Sequence, residues 1–178
     1  VIIFVLFTIL FTSSFNQNVS AIETLQIPKI FADATKHFMK GEYAQSIILY
    51  DEILEVKPND AKTLLMKGTA LSNLDRHKKS ILEFKKVLIN DPDNLMALLG
   101  MGVGFGNFGE YKQAHKYFFE ANQLSPDNHI IINYKEFAEK VITKYPYNEV
   151  ELPEIFEMPK IEIIPSWVKN NAGWWAED

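Results

Sequence analysis

The chain has 178 residues, 47% hydrophobic and 23% charged, a size and mix that suit one globular unit with appendages better than two full domains. It contains no cysteine, which excludes disulfides, a thiolate metal site and a thiol nucleophile. The net charge of −5 resides in residues 145–178, two lysines against seven acids, so the rest is neutral and offers no basic stripe to nucleic acid.

The N-terminal run Val1–Phe11 is apolar apart from Thr8, and a polar stretch then leads to Val19-Ser20-Ala21. This is the pattern of a signal-peptide core followed by a small-residue cleavage site. No Met or basic segment precedes it, so the natural chain is expected to start further upstream. An uncleaved anchor is the rival reading, although the visible run is short of the ~20 residues that span a bilayer. Residues 1–21 are thus expected to be signal or anchor. The body is expected to be extracytoplasmic, either secreted or in the cell envelope, with a membrane tether through the N-terminus if cleavage does not occur. The one N-x-S/T site, Asn18-Val19-Ser20, falls inside this segment.

Beyond it, Pro58, Pro92 and Pro126 recur at a spacing of 34 residues, each after an apolar helical run and before Asn or Asp. A fixed period of this size marks a stacked array whose single unit cannot bury its own apolar face. Phasing on the prolines gives repeats 27–60, 61–94 and 95–128, then a capping segment 129–144. In the third, Leu98, Met101, Gly102 and Phe105 predict a first helix of about 95–108. Gly109-Glu110-Tyr111 makes a turn, and Ala114, Phe118, Ala121 and Leu124 stripe a second helix of about 111–124, stopped at Ser125-Pro126. The first repeat has Gly41-Glu42-Tyr43, Ser46 and Tyr50. The second has Gly68, Leu71, Ser80 and Phe84, but Asp75 at the turn glycine and His77 for the tyrosine. Helix 129–144 carries Ile132, Phe137, Ala138, Val141 and Ile142 on an expected inward face.

These residues resemble the tetratricopeptide repeat family, whose motif has Gly or Ala where helix A meets helix B, Tyr opening B, Ala midway, an aromatic, Ala and then Pro. The resemblance covers residues 27–144. It implies an all-α solenoid of three helix-turn-helix repeats plus a cap, acting as a non-catalytic scaffold for a protein or peptide partner. In that family one face of the A helices lines the ligand groove. The matching positions are Phe31, Thr35, Phe38 and Met39 in the first repeat, then Lys62, Leu65, Met66, Thr69 and Asn73. The third supplies Met96, Leu99, Gly100, Val103 and Asn107. Such a lining is apolar and Met-rich, suited to adaptable contact with a peptide or helix, or to packing on itself or on the chain's own tail. Some chaperone-binding relatives clamp a terminal carboxylate with Lys, Asn and Arg. Here the clamp positions hold Phe31, Thr35, Lys62, Met66, Met96 and Gly100, so the clamp is missing.

Two further patterns are weaker. The alternating glycines of Gly100–Gly106 follow no strand and lack the final spacing of a phosphate loop, so they read as close packing within a helix. His37, His77, His115 and His129 are scattered without metal-ligand spacing, and no catalytic constellation is evident. No metal, cofactor or catalytic residue is therefore expected.

Residues 145–165 hold four prolines and an acid–apolar alternation, a stiff acidic linker outside the helical stack. Residues 166–178 contain all three tryptophans. The run Pro165-Ser166-Trp167 to Asn170-Asn171-Ala172-Gly173-Trp174-Trp175-Ala176 resembles the opening of a small Trp-rich module of secreted and cell-envelope archaeal proteins. An aromatic patch for a membrane interface or glycan is the other reading. The alternative to a ligand-binding scaffold is thus a structural or surface-anchoring protein in which the repeats are a spacer for this module.

Overall fold

The computed structural model describes residues 26–144, and the signal or anchor, linker and Trp-rich segments lie outside the described residues. These residues form seven helices and no strand. Helix α1 covers 26–39, followed by α2 (Tyr43–Val56), α3 (Ala61–Asn73), α4 (His77–Asn90), α5 (Leu95–Asn107), α6 (Tyr111–Leu124) and α7 (His129–Lys144). Each helix from α2 onward packs on the next, giving an all-α solenoid in which α3, α5 and α7 are A helices and α2, α4 and α6 are B helices. Helix α3 also packs directly on α5, whereas no contact of that extent joins α2 to α4, α4 to α6 or α5 to α7, so α3 and α5 lie on the inside of the curve.

Two kinds of turn repeat with the sequence period. Where A meets B, the chain turns through positive φ at Gly41 (77°), Asp75 (56°) and Gly109 (85°). The next amide reaches back five residues: Glu42 N–H donates to the His37 carbonyl, Arg76 N–H to Leu71 and Glu110 N–H to Phe105, each at 2.9 Å. This closes a Schellman cap, and Asp75 is among the few side chains that tolerate the conformation. Where B meets the next A, Lys57, Asp91 and Ser125 leave the helix with φ of −127°, −138° and −144° and ψ of 76°, 83° and 74°, clear of the α region that a following proline disfavours. Two residues past each proline, an Asx side chain caps the new helix. Asp60 accepts from Thr63 N–H at 2.8 Å, Asn94 from Ala97 N–H at 3.1 Å and Asn128 from Ile130 N–H at 3.0 Å.

The core pairs small residues with large ones. Ala34, Ser46, Ser80 and Ala114 have no exposed surface, and Tyr50, Phe84 and Phe118 are buried behind them. A Cβ added at Gly68 or Gly100 would strike the Phe84 ring at under 3.0 Å, and one at Gly102 would strike Phe118. The glycine run is therefore a helix that receives one ring on each side, from α4 and from α6. The cap differs from its sequence reading. Ile131, Tyr134, Ala138 and Val141 are buried, whereas Ile132, Phe137 and Ile142 are only partly so. Three successive isoleucines carry no phase; the Asn128 cap sets it, and Tyr134 then stacks on Phe118 at 5.0 Å.

Candidate peptide-binding face

The inner face is built from A-helix positions one period apart. Phe31, Leu65 and Leu99 form one row, with Thr35, Thr69 and Val103 one turn further along. Lys62 and Met96 form a third row, which α7 continues with Ile130, and Asn73 and Asn107 stand at the A-helix C-termini. The middle of this face is tightly closed: Leu65 and Leu99 are each 7% exposed, Val103 8% and Thr69 5%. Leu65, Leu99 and Val103 join the interior clusters of the stack, so the floor of the groove is continuous with the core. Accessible apolar surface lies at the rim, on partly buried Phe31 and Met96, on Ile130 (50% exposed) and on Met39 (47% exposed).

Phe38 and Met66 do not join this surface. They are sealed with Tyr50, Ile53 and Leu71 between α1, α2 and α3, at 4% and 0% exposure. A one-residue offset on a helix turns a side chain by about 100°, enough to move it from the face into the layer. Gly100, at the same phase as Met66, is likewise occupied by the Phe84 ring.

The polar groups of the face are partly committed to their own helices. Thr35 Oγ1 donates to the Phe31 carbonyl and Thr69 Oγ1 to the Leu65 carbonyl, both at 2.8 Å, while Asn73 Nδ2 donates to the Thr69 carbonyl at 2.9 Å. Lys62 Nζ lies 4.4 Å from the Phe31 ring centroid, joining two of the predicted residues in a cation–π contact. Among the described residues no three His, Asp or Glu side chains gather as a metal-binding group, and no helix is long and apolar enough to cross a membrane.

Sequence reasoning missed one charged cluster. Lys67 on α3 contacts Asp51 on α2 at 2.7 Å and Glu83 on α4 at 2.8 Å, and Lys86 contacts Glu83 at 2.7 Å. Burial alone would lower the Lys67 ammonium, but its bonds to Asp51 and Glu83 outweigh burial and hold it above its ordinary 10.5. Burial would raise Glu83, and its bonds from Lys67 and Lys86 likewise outweigh it, holding the carboxyl below 4.5. A signal was available: one period after Lys67 and Glu83 stand Met101 and Tyr117, which exposes both charges as occupants of packing positions.

No family model matches the sequence, and no curated protein matches it. Solved structures do. The Sgt2 domain from Aspergillus fumigatus aligns with TM-score 0.64 at 16% identity, over 78% of this chain and 92% of that one. The fold is that of a tetratricopeptide repeat domain. The second such domain of human RPAP3, solved with the HSP70 peptide SGPTIEEVD, aligns with TM-score 0.62 at 14% identity, over 66% of this chain and 98% of its own. The Yersinia enterocolitica type III secretion chaperone SycD, solved with a peptide of the translocator YopD, aligns with TM-score 0.61 at 12% identity, over 65% and 94% respectively.

Proposed function

We propose that this chain is an exported, non-catalytic protein–protein interaction scaffold that holds an apolar peptide or helix across the inner face of its A helices. The observation that carries the reading is the alignment of rows one period apart, ending in an accessible rim of Phe31, Met96 and Ile130 above a closed apolar floor. A closed floor and an accessible rim favour a ligand that lies across the face and inserts short side chains between rows. Two structural neighbours hold peptides, which supports a peptide as the ligand class. The chain offers the rim no Lys/Asn/Arg clamp, so the ligand is recognised by its apolar side chains rather than by a terminal carboxylate. Export rests on the apolar segment Val1–Phe11 and the small residues Val19 and Ala21.

The test is selection of binders from a displayed peptide library, followed by affinity measurement. Met96→Glu with Ile130→Glu should weaken the selected peptides tenfold or more, about 1.4 kcal/mol. Ile48→Glu with Leu82→Glu, on the outer B helices at 66% and 57% exposure, should leave them unchanged. Equal losses from both pairs, or peptides indifferent to the inner pair, would refute the reading.

A further inference from the structure

The A-to-B turn of the second repeat carries an open recess of about 580 Å³ lined by Asp75, Arg76, His77, Lys78, Lys79 and Phe108. Three permanent cations face a single carboxylate there. They occupy the N-cap and first turn of α4, which holds no acid, although a helix N-terminus favours negative charge. Phe108 is 46% exposed, and the Lys78 ammonium lies 4.9 Å from its ring centroid, so the recess joins positive charge to an apolar plate. His77 Nε2 is 3.8 Å from Asp75, which itself is 84% exposed. The recess is complementary to an anionic segment that also carries apolar side chains.

The chain contains such a segment. Between residues 149 and 163 it carries Glu149, Glu151, Glu154, Glu157 and Glu162 against one cation, Lys160, with Leu152, Phe156 and Met158 interleaved. Connectivity brings it to the same edge. Helix α7 is an A helix, so its end at residues 142–144 falls one period after the 108–110 turn and two after the 74–76 turn. With packed helix axes about 10 Å apart and two helices per repeat, these turns lie at most roughly 20 and 40 Å from the end of α7. An extended chain covers up to about 3.5 Å per residue, so Glu151 comes within reach of the nearer turn and Glu157 of the farther one. Pro153 and Pro159 favour an extended path, and tethering raises the local concentration of the segment to about millimolar.

We propose that the recess at the α3–α4 turn is the seat of the chain's own segment 149–163, with its glutamates on Arg76, Lys78 and Lys79 and an apolar side chain such as Phe156 against Phe108. The segment then runs back along the turn edge of the array, leaving the inner face to an external ligand. This contact is independent of the ligand-binding proposal, because it uses another edge and other residues.

The absence of cysteine allows a clean test on the full chain. Lys160→Cys is coupled to a nitroxide, and backbone amide signals are compared with the label oxidised and reduced. The amides of residues 75–79 and Phe108 should lose most of their intensity in a sample diluted with unlabelled chain. Lys78→Glu with Lys79→Glu, or Glu154→Lys with Glu157→Lys, should each restore the signals, and combining all four should quench them again. Salt reads the same contact without these substitutions: at about 0.5 M, where screening acts within about 4 Å, the quenching should fall severalfold. Quenching along the Phe31 and Met96 rows would overturn the proposal. Transfer of quenching to the unlabelled copies, quenching indifferent to salt and charge reversal, or no quenching would do so equally.

Discussion

Where repeat 2 sets Lys67 against Glu83, repeat 3 has Met101 and Tyr117, and both pairs occupy the same joint between an A helix and the following B helix. The ionic joint is held by Asp51 and Lys86 at its sides. The apolar joint is filled by Met101, 2% exposed, and by Tyr117, whose ring stacks on Phe105 at 5.5 Å. The turns differ in the same sense, Asp75 against Gly109, while φ stays positive at both. The backbone path is therefore set by turns, caps and ring-into-glycine contacts. The joint itself accepts either chemistry, in line with the near balance between a buried ion pair and apolar residues of similar volume.

The strongest way to break the comparison is Phe118→Ala. It empties the space between Gly102 and Tyr134 in repeat 3, and should cost about 3–5 kcal/mol in urea unfolding. A loss under ~1 kcal/mol would show that repeat 3 does not depend on that ring. Next in size is Lys67→Met, which strips Glu83 of the less exposed of its two lysine partners and should cost about 1–3 kcal/mol. Adding Glu83→Tyr, which reproduces repeat 3, should recover most of that loss.

Acidity sharpens the same contrast. Glu83 is depressed in the folded state, so its contribution is present above 4.5 and lost as pH falls through its lower folded value. Lys67 is raised, so its share is present below 10.5 and lost as pH rises through its higher folded value. The double variant should lose both dependences in unfolding curves measured across pH. The smallest effect concerns the turns: Asp75→Gly should stabilise by about 0.5–1 kcal/mol, and Gly109→Ala should destabilise by about 1 kcal/mol. Shifts of the same sign at the two sites would mean that the turns are not equivalent despite their shared φ.

The proline period and the turn glycine placed α5 and α6 within a residue of where they lie, because prolines and turn glycines act through local backbone geometry. The period also phased Phe31 with Leu65 and Leu99, and Thr35 with Thr69 and Val103. It did not show that Phe38 and Met66 lie a fraction of a turn too far round, because a periodic pattern cannot separate the edge of a face from the layer beneath it. Asp60, Asn94 and Asn128 stood beside the prolines in plain view, yet their capping role depends on a hydrogen bond three-dimensional geometry supplies. The Lys67–Glu83 contact joins residues sixteen apart on different helices, and it becomes readable only against the next repeat.

Helix α5 carries Gly100, Gly102, Gly104 and Gly106, each costing about 1 kcal/mol of helix propensity. Alone it would scarcely persist; Phe84 and Ile81 from one neighbour and Phe118 from the other hold it in shape. In a linear array, a unit with little stability of its own and strong contacts to both sides ties its neighbours into one cooperative transition. Among the described helices, the one richest in glycine is thus the one that ties its repeats into folding and unfolding together.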